Sequence, residues 1–153
     1  MARAPGGDAP ATGPRLREDR ALALLMLACF IIFVAQWPRL SREAHLDPSV
    51  PLEARLGGAL FGMMFILPLV SYALAGLSHL VARLFGGQGS AFGSRLALFW
   101  ALLASWPLWL FNGLVNGFLG PGPASAVSGS LLAVAFLVMW LLSLAEAEGI
   151  GGQ

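Results

Sequence analysis

The chain has 153 residues, 58% hydrophobic and only 11% charged, with a formal net charge of +1 and a mean hydropathy of +0.77. Ordinary soluble domains carry about 25% charged residues. This composition therefore excludes a disordered chain, a collagen-like fibre and a disulfide scaffold, and argues strongly against a water-soluble globule, which could not cover so much apolar surface. The class that remains is a polytopic membrane protein. All nine basic residues are Arg, balanced by eight acids, so no basic excess points to nucleic acid. The single Cys29 lies in an apolar run, which leaves no disulfide framework and no cysteine zinc site within the chain.

Residues 1–14 are rich in Pro, Gly and Ala without an apolar period, the pattern of a disordered tail. Four apolar segments follow: 17 residues from Ala21 to Trp37, 26 from Gly57 to Ala82, 24 from Leu96 to Leu119 and 20 from Ala126 to Ala145. None contains Asp, Glu or Arg. A helix needs about 20 apolar residues, with a range of about 17–25, to cross the hydrocarbon core, so each segment is expected to be one crossing. Lipid supplies no hydrogen-bond partners, which makes the crossings helices, and nothing alternates in the manner of a membrane barrel. Gly120-Pro121-Gly122-Pro123 is the turn that separates the last two. The expected fold is all-α, a transmembrane bundle of four spans over residues 15–146, with a flexible C-terminal tail over 147–153.

Pro68 and Pro107 fall inside spans and should kink them, because neither ring nitrogen can bond the carbonyl four residues back. Between the first two spans, Leu40, Ala44 and Leu46 suggest a short interfacial turn with Arg39, Arg42 and Glu43 towards water. Asp47-Pro48 and Pro51 then mark a turn and the start of the second helix. With both termini inside, the inner side holds Arg3, Arg15, Arg17, Arg20, Arg83 and Arg95, and the outer side only Arg39, Arg42 and Arg55. That bias predicts cytoplasmic N- and C-termini. A cleaved leader is not expected, since no A-x-A site follows the first apolar run and the run continues past Cys29.

Few residues offer chemistry. His79 is the only titratable base inside a span. Without a carboxylate in any span to form a relay, and with His45 at the other end, it is expected at headgroup level. Asn112 and Asn116 share a face of the third helix at i, i+4. Gly113 and Gly117 form a GxxxG beside them, and Gly58 and Gly62 form another in the second helix. These six residues are candidate helix–helix or partner contacts, since small residues admit close approach and amides bond across it. The alternative for the two amides is a polar pathway beside a Pro-kinked helix, as in a transporter or channel subunit. Trp37, Trp100 and Trp140 lie near span ends, where indoles favour the interface. Arg83 and Arg95 bracket a Gly-rich loop and are candidate contacts for anionic headgroups, and Ser90 is placed to cap the following helix. The loop is not a GxGxxG and follows no strand. No HExxH, GxSxG or Ser–His pair at helical spacing occurs, so no catalytic, metal or cofactor residues are expected and an intramembrane enzyme has only Ser78-His79 in its favour.

The segment HLVARLFGGQGSAFGSR running into LALFWALLASWPLWLF resembles the Yip-domain (Ypt-interacting-protein type) membrane family, in its bacterial branch. Phe85, Gly86, Gly87, Gly89, Ser90 and Pro107 carry the likeness, with REDRALALLM, FVAQWPRLSREAHL and the late GPGPA, over about residues 16–146. The resemblance implies a polytopic helical protein with a cytoplasmic N-terminus, here in a bacterial inner membrane. Relatives in eukaryotes act in vesicle traffic, bind small GTPases and shape membranes. Their acidic N-terminal motif has no counterpart in residues 1–20, and the family count of five spans exceeds the four found. The expectation is a non-enzymatic integral membrane protein. Its partners are the lipid bilayer and another copy or another membrane protein, with no nucleic acid and no small molecule identified.

Overall fold

The computed structural model describes residues 14–149, and residues 1–13 of the expected N-terminal tail lie outside them. The described residues are helical throughout, joined by short turns. Helix α1 covers Pro14–Leu46, α2 covers Leu52–Phe61, α3 covers Leu67–Leu84, α4 covers Ala91–Ala104, α5 covers Trp106–Phe118 and α6 covers Pro123–Glu148. Between α2 and α3, Gly62–Ile66 form a π-helical turn. Helix α1, the continuous rod from α2 through α3, and α6 are each long and apolar enough to cross a membrane. Helices α4 and α5, bent by 47° at one break, satisfy the same test as a pair. Four antiparallel rods result, with the N-terminal end of α1 and the C-terminal end of α6 on the same side.

The prolines act where lost hydrogen bonds require. Pro68 leaves the Met64 carbonyl without its regular partner, and the chain answers with the widened turn, in which the Leu67 amide bonds the Gly62 carbonyl. The expected kink is thus a π turn in an unbroken rod. Pro107 stands in the first turn of α5 after the break at Ser105, whose hydroxyl bonds back to the Ala101 carbonyl at 2.7 Å. Pro38 behaves otherwise. The first helix was expected to stop at Trp37, yet α1 runs through Pro38 to Leu46. The proline ring lies where Gly117 of α5 has no side chain, and a Cβ there would strike it. The interfacial turn predicted at Leu40–Leu46 is therefore the last part of α1, and Leu40 is buried.

Helices α4 and α5 form the middle of the bundle. Helix α1 packs along both, α6 packs along both, α3 lies on α4 and α2 lies on α1. Ala21, Leu25, Ala28, Cys29 and Ile32 line one face of α1 and meet Leu98, Phe99 and Leu102 of α4 and Ala75 of α3. The small residues bring the backbones together, the main means of association where lipid is as apolar as the side chains. Phe99 is fully enclosed and meets Tyr72 edge-on at 5.2 Å between ring centres. In the apolar window of α1, 39% of residues are buried, against 11% in the α2–α3 rod and 11% in α6. Those last two are the peripheral rods.

Beyond the apolar stretch, α1 and α2 are tied by charge. Arg55 reaches Asp47 at 3.2 Å and Glu43 at 3.5 Å, and Arg39 meets Glu43 at 3.1 Å. Arg42 donates to the Phe118 carbonyl at 3.2 Å, capping α5 beside Gly120. The chain turns there with φ of 72°, a left-handed conformation that favours glycine.

Candidate functional site

At the opposite end, three rods converge on one carboxylate. His79 lies in the last turns of α3 and Ser94 in the first turn of α4. Glu148 ends α6, and its side chain has no solvent exposure. The Glu148 Oε1 atom is 2.7 Å from His79 Nδ1 and accepts a short hydrogen bond from the Ser94 hydroxyl. Its Oε2 accepts from the Gly89 amide at 3.1 Å. A buried carboxylate is costly unless donors surround it, and here three donors come from two helices and the loop between them.

Local sequence explains the placement of each donor. Ser90 caps α4 through a bond from the Gly93 amide to its hydroxyl at 3.1 Å, as expected. Ser94 therefore sits one turn inside and faces the bundle, fully buried. The Gly87 amide bonds the Ala82 carbonyl at 2.9 Å and the Gln88 amide bonds the Glu148 carbonyl at 3.0 Å. These bonds satisfy carbonyls at the ends of two helices. A Cβ on Gly89 would strike the Ala147 carbonyl, and one on Gly87 would stand 2.9 Å from Glu148 Oε2. The glycines of FGGQGS are thus the room in which α6 ends. Residues 147 and 148, assigned to a flexible tail from sequence, are helix, and Glu148 is buried. The reason is this set of bonds.

Because an ionised carboxylate only accepts, the proton between Glu148 and His79 belongs to Nδ1. A hydrolytic relay places the serine and the acid on different ring nitrogens. Here Ser94 and Glu148 both face Nδ1, with Ser94 at 3.4 Å and its hydrogen directed at the carboxylate. Ser78 is engaged elsewhere, donating to the Leu74 carbonyl at 2.6 Å. The arrangement binds an acid and orients an imidazole. Among the described residues, no three His, Cys, Asp or Glu side chains gather to hold a metal ion.

The residues singled out from sequence are distributed as follows. On α5, Asn116 Nδ2 donates to Asn112 Oδ1 at 3.1 Å. Ser125 of α6 donates to Asn116 Oδ1 at 2.5 Å and Ser128 to Asn112 Oδ1 at 2.9 Å. The amides form a ladder between α5 and α6. A hollow of about 320 Å³ between α3 and α6 is lined by apolar groups including Trp109 and Phe136, and by neither amide. Gly113 and Gly117, on another side of α5, lie against Ala35 and Pro38 of α1. Gly58 and Gly62 have nothing within 4 Å of a Cβ position. Arg95 bonds Glu18 at 2.8 Å and lies over the Tyr72 ring, so it is held within the chain, whereas Arg83 is exposed. Trp37 and Trp100 are exposed, while Trp140 packs against the core.

Sequence reasoning missed Ser94 and Glu148. They stand 54 residues apart, and Glu148 stands 69 from His79, distances at which no local pattern forms. One signal was present: an even number of spans brings the ends of the second and fourth to the same side, beside the Gly-rich loop. The chain matches no family model, no curated protein and no solved structure.

Proposed function

We propose that this chain is a non-enzymatic, multi-pass component of a bacterial inner membrane that binds a second membrane helix, with both termini cytoplasmic. The Yip-domain resemblance supports that reading through FGGQGS and Pro107, and suggests a membrane-organising role. The carrying observation is the contrast among glycines. Gly113 and Gly117 are filled by α1, while Gly58 and Gly62 leave open ground on a peripheral rod. Close-packed membrane helices use such small-residue ground. The transporter reading needs Asn112 and Asn116 at a water-filled cavity, and their bonds to Ser125 and Ser128 favour helix fastening instead.

Crosslinking and native mass spectrometry in nanodiscs test the proposal. The native chain is expected to capture a second copy or a partner, and Gly58→Leu with Gly62→Leu to abolish capture while circular dichroism shows the helices intact. A strict monomer, or capture indifferent to those substitutions, contradicts it.

A further inference from the structure

The polar cluster at the end of α3 has no part in the proposed helix pairing. We infer that His79, Ser94 and the Gly89 amide form a carboxylate-binding site, occupied in cis by Glu148 and open to a free carboxylate once that side chain is withdrawn. The donors belong to one stretch, α3–loop–α4: His79 and Ser94 are set by bonds independent of α6, and the loop carrying Gly89 is held both within the stretch and by the Gln88 bond to the Glu148 carbonyl. His79 rides on a regular helix, Ser94 follows the Ser90 cap, and the loop is turned by the bond from Gly87 to Ala82. The occupant arrives from the far end of the sequence.

The geometry selects the ligand class. One oxygen takes two donors, His79 Nδ1 at 2.7 Å and the Ser94 hydroxyl, while the other takes the Gly89 amide at 3.1 Å. Two acceptor oxygens on a planar anion meet that demand, whereas chloride offers a single point of contact. The nearby charges are engaged elsewhere or turned outward: Arg95 binds Glu18, and Arg83 and Glu146 are exposed. His79 is thus the titratable group facing the bound acid. The Ser94 and Glu148 side chains are fully buried, and His79 keeps 17% exposure at the edge of the site. Withdrawal of the Glu148 side chain releases the Gly89 amide, while the backbone bond from the Gln88 amide to the Glu148 carbonyl keeps the loop against α6.

The test is chemical rescue of the full chain in lipid nanodiscs. Glu148→Ala should lower the melting temperature. Sodium formate should restore at least half of the loss, saturably, where sodium chloride at equal ionic strength restores none. Adding Ser94→Ala to Glu148→Ala should remove the rescue. If Glu148→Ala does not fold alone, refolding is compared in formate and in chloride, and recovery only in formate supports the site. No recovery in formate, equal recovery in both salts, or rescue that survives Ser94→Ala would overturn it.

Discussion

A single missing side chain decides how closely α1 approaches α5. Gly113 is buried, and a Cβ there would run into the Ala35 carbonyl, a backbone atom that cannot step aside. Gly58 meets nothing of its own chain within 4 Å of a Cβ position on α2, so within one chain an added methyl has room and the glycine adds backbone freedom to the unfolded state. The two positions therefore predict opposite signs. Gly113→Val should cost about 1–3 kcal/mol or more through overpacking. Gly58→Ala should stabilise by about 0.5–1 kcal/mol through helix preference. Thermal unfolding in nanodiscs reads both, and a neutral Gly113→Val would refute the close α1–α5 contact.

At the scale of elements, the helix ends carry most of the polar chemistry. Asp47 lies in the turn between α1 and α2, where the Ser49 hydroxyl and amide, aided by the Arg55 guanidinium, hold its carboxyl below the ordinary 3.8. A carboxyl lowered by folding contributes order that is complete above its unfolded value and fades as pH falls through its folded value. The carboxyl carbon of Asp47, followed by NMR, should titrate below 3.8 in the native chain. With Ser49→Ala the midpoint should rise towards that value. An unchanged midpoint would show that Ser49 does not hold this turn.

The elements also show what the sequence made legible. Apolar runs, Gly120–Pro123 and the Ser90 cap located four rods, with the ends of the last three within about five residues, while α1 extends well beyond the expected 21–37 at both ends. The continuation of α1 past Pro38 was not legible, because it depends on Gly117 standing opposite the proline ring. Nor was the burial of Glu148. Charge after an apolar run signals exit into water, and only the rotation of three rods about their axes turns this carboxylate inward. Periodicity reports where a residue lies along a rod, whereas burial of a polar end depends on what the neighbouring rods offer.

As a whole molecule, the chain is a bundle whose polar groups are largely turned onto one another. The Asn–Ser ladder fastens α5 to α6, glycines seat α5 on α1, and the Glu148 cradle joins α6 to α3 and α4. Its outer surface is apolar, with Phe65, Leu69, Leu131 and Leu142 among many exposed large side chains. Such a surface suits a bilayer, whose hydrocarbon is as apolar as these side chains. The central claim is thus four crossings, to which the proposed function adds that the Glu148 cradle faces the inner side. Labelling by a membrane-impermeant thiol reagent tests it most directly, since the native Cys29 is fully enclosed. In right-side-out vesicles, Val50→Cys and Gly122→Cys should react at once, and Gln88→Cys only after permeabilisation. Reaction of Gln88→Cys together with Val50→Cys before permeabilisation would contradict the four-span arrangement.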